Sequence, residues 1–338
     1  KLAGSTVATL DMAGADVLFG AGVAQAVLVT ETATLAVSGG RIDQPADCHT
    51  ACTSQMTLLD SAQLSFDGLQ APNLARHASQ LLPAPVVQAS GAATLTLRNS
   101  TLAMPVTAAG FPRTLVQLDN TATARLIDTT VGALFGNVVF ARSGTPRIEI
   151  DGLVSSNSVT AYVVGSLAAA QPVVVVRRTS LTGFTGSDAV VQLGGGGGLE
   201  LRDSTLTGNR LAVHLQGGTH QVLMRGNDFS DSGTCGRPGC AGVRLDGAAA
   251  SVYDLGTLAS PGGNRFGAAA VSTGLALNAA GATASAVGNV WLAHTQGSDA
   301  QGRFNLGTAP CGDSLCPVTG GSGSNYHVGA GTLRLAGP

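Results

Sequence analysis

Along the chain a short apolar alternation repeatedly runs into a polar or small turn and closes on one large apolar residue. The pattern reads "TLAVSGGRI" at 34–42, "QLSFDGL" at 63–69, "TLTLRNSTL" at 94–102 and "ARLIDTTV" at 124–131. It returns as "RIEIDGL" (147–153), "VVVVRRTSL" (173–181), "LELRDSTL" (199–206) and "VLMRGNDF" (222–229), with a degenerate "GGNRF" (262–266) and a last copy "ASAVGNVW" (284–291). The closing residues Ile42, Leu69, Leu102, Val131, Leu153, Leu181, Leu206, Phe229, Phe266 and Trp291 are spaced by 22 to 37 residues. A period of this size means a solenoid, because one repeat of two or three short strands cannot bury its own apolar face. Stacking repeats places Leu on Leu and Val on Val.

Each corner needs a residue that tolerates φ > 0, and Asn99, Asp128, Asp151, Asp203 and Gly226 stand there. An antiparallel sandwich also uses many short strands, but these repeats keep one polarity and lack regular Asn-Gly hairpin turns. The expected fold is therefore all-β, a right-handed parallel β-helix of roughly ten or eleven rungs, with strands about 4.8 Å apart. No linker divides residues 1–338, so a single solenoid domain is expected. Loop insertions are expected near 43–56, 71–90, 231–241 and 295–325. The last should fold over the C-terminal end before "HVGAGTLRLAG" joins the stack.

The five glycines from Gly194 to Gly198 could suggest a phosphate loop. They run into Leu199-Glu200-Leu201-Arg202-Asp203, which alternates like a strand, and the only lysine is Lys1. A phosphate loop would continue into Gly-Lys-Ser/Thr and open a helix. The run is read as a corner. Net charge is −2 and the arginines are scattered apart from Arg177-Arg178, so no nucleic-acid partner is expected. No apolar run reaches the length of a membrane span. The chain starts at Lys1 without a leader, and a processed product is the expectation.

The six cysteines fall into the close pairs Cys48/Cys52, Cys235/Cys240 and Cys311/Cys316. Three local disulfides, each pinning one loop, are the simpler reading and imply an oxidising compartment. Each would contribute about 2 kcal/mol. Zinc is the rival and would need two distant pairs to meet. His49, His77, His214, His220, His294 and His327 have no metal-ligand spacing, and no metal or cofactor is expected. His214 and His220 flank "LQGGT" and read as a solvated pair across a corner.

Residues 252–266, "VYDLGTLASPGGNRF", followed by 284–304, "ASAVGNVWLAHTQGSDAQGRF", resemble the closing repeats of bacterial secreted or surface β-helices. The resemblance is to the pectin-lyase-like superfamily, including a group of lipoprotein-like β-helices, and it covers about 50 residues. It implies the fold and an extracytoplasmic setting, while fold alone does not give function. Many such proteins cleave acidic polysaccharides. The polygalacturonase-like Asn-Thr-Asp, Asp-Asp and Gly-His-Gly signatures are absent from this sequence. Glu31, Glu149 and Glu200 are the only glutamates, and Glu149 with Asp151 reads as an outward polar face. Arg237-Pro238-Gly239 faintly resembles the Arg-Pro element of pectate lyases but lies between two cysteines. Threonines such as Thr101, Thr130 and Thr205 sit at corners, which disfavours ice binding.

The functional expectation is a non-catalytic extracellular or cell-surface β-helix with a structural or adhesive role. It would contact a surface glycan or other copies of itself, and could stack end to end. The alternative is a polysaccharide lyase or hydrolase acting on an acidic glycan. The cysteine reading predicts no titratable thiol in the unreduced, denatured protein and six after reduction, as counted by a thiol-reactive dye. Six before reduction would remove the staples.

Overall fold

A computed structural model describes residues 1–18, 27–44, 56–74, 85–103, 113–132, 136–156, 162–186, 189–233, 241–267, 273–292, 315–318, 321–322 and 326–336. The fold is an all-β parallel β-solenoid, and the described residues contain no helix. Two compact units, Lys1–Val173 and Val174–Pro338, are taken in turn.

In the first unit each turn is built from three strands. The first side holds Val27–Val29, Met56–Leu58, Val87–Ala89, Arg113–Leu118, Gly136–Ala141 and Val164–Ser166. On the second side lie Val7–Asp11, Thr34–Ser38, Gln63–Asp67, Thr94–Arg98, Thr123–Ile127 and Arg147–Asp151, all parallel. The third side runs from Asp16–Leu18 through Arg41–Gln44, Gln70–Leu74, Thr101–Ala103 and Thr130–Gly132 to Val154–Ser156. Period-two alternation sends every other side chain inward. Register then lines Leu64, Leu95, Ala124 and Ile148 into one buried column and Phe66, Leu97, Leu126 and Ile150 into the next.

The second unit keeps this plan with a reduced third side. Gly197–Arg202, His220–Arg225 and Val252–Asp254 stack in parallel. The 13-residue strand Thr273–Ser285 pairs with both Ala241–Asp246 and Val252–Asp254, so it spans two sides, turning at Gly281 where φ is positive and the register shifts. Tyr326–Ala336 joins it in parallel, as expected for the final strand. Leu315–Val318 and Gly321–Ser322 then pair with Tyr326–Ala336 in the antiparallel sense.

About eight turns carry a strand on all three sides, slightly fewer than the ten or eleven rungs expected. Some turns close with less than a strand. Leu2 enters only as an isolated bridge to Val29, and Thr205 and Asp228 reduce the third side to single bridges. The expected insertions also shrink at their ends. Asp43 and Gln44, Ala71–Leu74 and Val87–Ala89 are strand, in segments too short to show a period. In the first unit the chain between third and first strands varies in length, over 45–55, 75–86, 104–112, 133–135 and 157–163, while the second-side strands keep register and the third side shifts once, between Arg41 and Asp43.

One corner position has φ > 0 in turn after turn. Gly39, Gly68, Asn99, Asp128 and Gly152 hold it in the first unit, and Arg178, Asp203, Gly226, Gly263 and Gly288 in the second. The sequence reading put Asp151 there. The structure uses Gly152 instead, which has no Cβ to clash, and leaves Asp151 as the last residue of its strand. The glycine run does turn a corner. A Cβ on Gly196 would lie 2.6 Å from the Thr219 carbonyl oxygen, and one on Gly218 would lie 2.2 Å from that of Gly195, so adjacent turns approach too closely for side chains.

Directly after the corner of Asp203, Gly226, Gly263 and Gly288 the second unit stacks buried polar side chains. Ser204 Oγ accepts from Thr179 N (3.2 Å), and Asn227 Oδ1 accepts from Ser204 N (3.1 Å). Asn264 Oδ1 accepts from Asn227 N (3.1 Å), and Asn289 Oδ1 from Asn264 N (2.9 Å). The Asn264 amide also donates to the carbonyls of Met224 and Leu255. Beside this ladder the closing residues form an aromatic stack. Ring centroids lie 5.3 Å apart for Phe229–Phe266 and 4.9 Å for Phe266–Trp291, and Tyr326 meets Trp291 edge-on at 6.3 Å.

Leucine fits the Asn264 site in size but leaves several buried groups unpaired, each costing roughly 1–3 kcal/mol. Asn264→Leu is therefore expected to lower stability by about 3 kcal/mol or more in urea unfolding. An unchanged midpoint would mean that the ladder adds nothing.

Candidate functional site

On the second side of the first unit, outward residues form two adjacent rows. One runs Thr34, Gln63, Thr94, Thr123, Arg147, and the other Ala36, Ser65, Thr96, Arg125, Glu149. Thr34, Thr94 and Thr123 thus lie on strands in one row, although Gln63 interrupts them, and Thr101 and Thr130, read as corner residues, open third-side strands and pair in register. Glu149 sits between Arg125, whose Nε is 2.8 Å from Oε2, and Arg147 on its own strand. Burial alone would raise the Glu149 pKa, but the Arg147 hydrogen bond and the charges of Arg125 and Arg147 hold it below its ordinary 4.5. Glu149 is the outward polar group that the alternation of "RIEID" implied.

The second unit repeats the device. Glu200 Oε1 accepts from Arg177 Nη2 and Arg202 Nε, both at 2.7 Å. Burial again opposes and the two arginines again prevail, so its pKa is lowered. Arg225 Nη2 donates to both carboxylate oxygens of Asp254 at 2.8 Å, a charge-assisted pair on a single nitrogen.

The chemically densest group lies on the first side of the second unit. Register brings Gln192, His214 and Arg244 into one outward row, with Gln216 beside Asp246. His214 Nε2 is 2.9 Å from Asp246 Oδ2, Arg244 Nε bonds the same oxygen, and Asn278 Nδ2 donates to Oδ1 at 2.9 Å. Burial pushes the Asp246 pKa up, but these donors and the charges of Arg244 and His214 bring it below 3.8. His220 sits at the next corner, fully buried. Its Nε2 is 2.8 Å from the Gly217 carbonyl, and its Nδ1 has no hydrogen-bond partner. Burial is the main cause that lowers its pKa from 6.5, and the charge of His214 adds to the shift. The solvated pair expected across the corner does not form: His214 faces outward against Asp246, while His220 is buried against the Gly217 carbonyl.

Sequence reasoning missed Arg244, Asp246 and Asn278. The alternation "RLD" at 244–246 puts Arg244 and Asp246 on one face, yet His214 and Asp246 are 32 residues apart. Only the register of two strands joins them.

Of the expected disulfide residues, Cys48, Cys52, Cys235, Cys240 and Cys311 lie outside the described residues, and Cys316 is described only as backbone within Leu315–Val318. His49, His77, His294 and Arg237 also lie outside them. Among the described residues no group of three or more His, Cys, Asp or Glu could hold a metal ion. No helix there is long and apolar enough to cross a membrane.

Comparison with protein-family models, with curated proteins and with solved structures gives no match. The coil geometry assigns the fold, and no family assignment accompanies it.

These groups set the response to acid. His220 has its folded pKa depressed below 6.5, so between that pH and its folded value only the unfolded chain takes up the proton. Stability should fall as pH drops from about 6.5. Glu149, Glu200 and Asp246 act lower, their contributions being lost as pH falls from near their ordinary values through their depressed folded ones. Urea midpoints measured against pH should show two stages. His220→Gln should abolish the upper stage and keep the lower. An upper stage unaltered in the variant would assign it to another group.

Proposed function

We propose that this protein is a non-catalytic β-helix of the extracellular space or cell surface, with a structural or adhesive role. The observation that carries this reading is the use made of charge on the outward sheet. Glu149 and Glu200 each lie between two arginines and are held ionised, which suits clamping neighbouring coils and not donating a proton to a leaving group. The rows around Thr34, Ala36, Ser65, Thr94 and Thr96 present small and hydroxyl groups to a partner. Its resemblance to secreted β-helices of the pectin-lyase-like superfamily adds the extracytoplasmic setting.

End-to-end stacking belongs to this reading. Among the described residues Val7–Asp11 pairs only with Thr34–Ser38. Leu10, aligned with buried Val37, is 48% exposed. A free strand edge can pair with another chain.

A second reading, cleavage of an acidic polysaccharide, is favoured by the Asp246 group alone, where a carboxylate, a histidine and an arginine converge. One experiment separates the two. The protein is incubated with acidic and neutral polysaccharides, with and without calcium, and scored for new unsaturated or reducing ends and for co-sedimentation with polymer. The scaffold reading expects no products, together with co-sedimentation or concentration-dependent light scattering. Products that vanish in Asp246→Asn would replace it with the enzyme.

A further inference from the structure

On the outer side of the second unit lies a trough of about 740 Å³. Its floor is set by register. Val252 pairs with Thr283 and Thr283 with Thr332, while Asp254 pairs with Ser285 and Ser285 with Arg334. Outward side chains of these strands therefore form two short rows. The segment around Thr257–Ala259 makes one wall, and Ala249 and Ala250 the other.

Two properties set this trough apart. Val252 and Leu258, 52% and 60% exposed, are the two most exposed large apolar residues described in the second unit, and both line it. Its charge is also unbalanced. Asp254 is spent on the ion pair with Arg225, whose Nη2 reaches both its oxygens, and its Oδ1 accepts from Gly256 N as well. Arg334 has no ion-pair partner among the described residues. An apolar surface ending at one unsatisfied guanidinium matches a ligand with an apolar body and one anionic end.

We infer that the trough binds a small amphiphilic carboxylate, with its carboxylate on Arg334 and its alkyl body along Val252 and Leu258. Ser285 contributes little to recognition, because its hydroxyl already donates to the Gly256 carbonyl at 2.6 Å. Among the described lining residues the one aromatic, Tyr253, is 1% exposed and offers a sugar ring no platform. This inference stands apart from the scaffold reading and does not need it.

The test is calorimetric titration of the full chain with octanoate, decanoate and decanol below their micellar concentrations. Decanoate should bind several-fold more tightly than octanoate, since each methylene fully buried is worth about fourfold in affinity. Arg334→Gln should weaken decanoate about tenfold or more and leave decanol unchanged. Leu258→Ser, an exposed loop change, should weaken both. Trp291 fluorescence reports whether each variant keeps its core. Equal decanoate binding to wild type and a folded Arg334→Gln would overturn the proposal, as would no decanoate binding at all. Glucuronate binding as tightly as decanoate would also overturn it, by leaving the apolar wall without a role. A short peptide ending in leucine that outcompetes decanoate would replace the free acid with a chain terminus.

Discussion

Parallel pairing of each turn with the next is the constraint on which everything else here rests. A parallel strand cannot satisfy its backbone by folding back locally, so every N–H and C=O must wait for a chain segment two or three dozen residues away. That requirement fixes the corners, since successive turns must leave each strand at the same place and angle. It explains why one corner position has φ > 0 from Gly39 to Gly152 and again from Arg178 to Gly288. It also explains the residue that follows. Once the corner is repeated, side chains at one position stack on themselves, and a buried Asn can bond to the next Asn along the stack.

The interior was legible because its physics is periodic. Residues that closed each apolar alternation, Phe229, Phe266 and Trp291 among them, are the ones that stack, and the glycine run turns a corner. What could not be read depended on register. Glu149 was visible as an outward acid, but its clamp by Arg125 needs two strands to align without a slip. The Asp246 group is harder still. Its members come from three strands, and Asn278 reaches it through the alignment of the long Thr273–Ser285 segment with Ala241–Asp246.

Charge on this molecule is paired both along strands and across them. Glu149 meets Arg147 on its own strand and Arg125 on the neighbouring one, and Glu200 likewise meets Arg202 and Arg177. Partly exposed pairs contribute modestly one by one. A like-charge register would nevertheless set repulsion between strands only about 4.8 Å apart. Alternation therefore helps to select the observed register over one shifted by two residues, and leaves Arg334 as a cation without such a neighbour.

The most variable segments of the first unit fall between a third strand and the next first strand, while the second-side strands hold their alignment. Length at that junction is thus uncoupled from the core. Insertions and deletions there leave the stacking columns untouched, because each new turn is re-indexed by its own corner residue. A lineage carrying such a coil can diversify one edge almost freely while the remaining sides stay under tight steric selection. Divergence in this architecture should accordingly be lopsided, fast along a single seam and slow everywhere else.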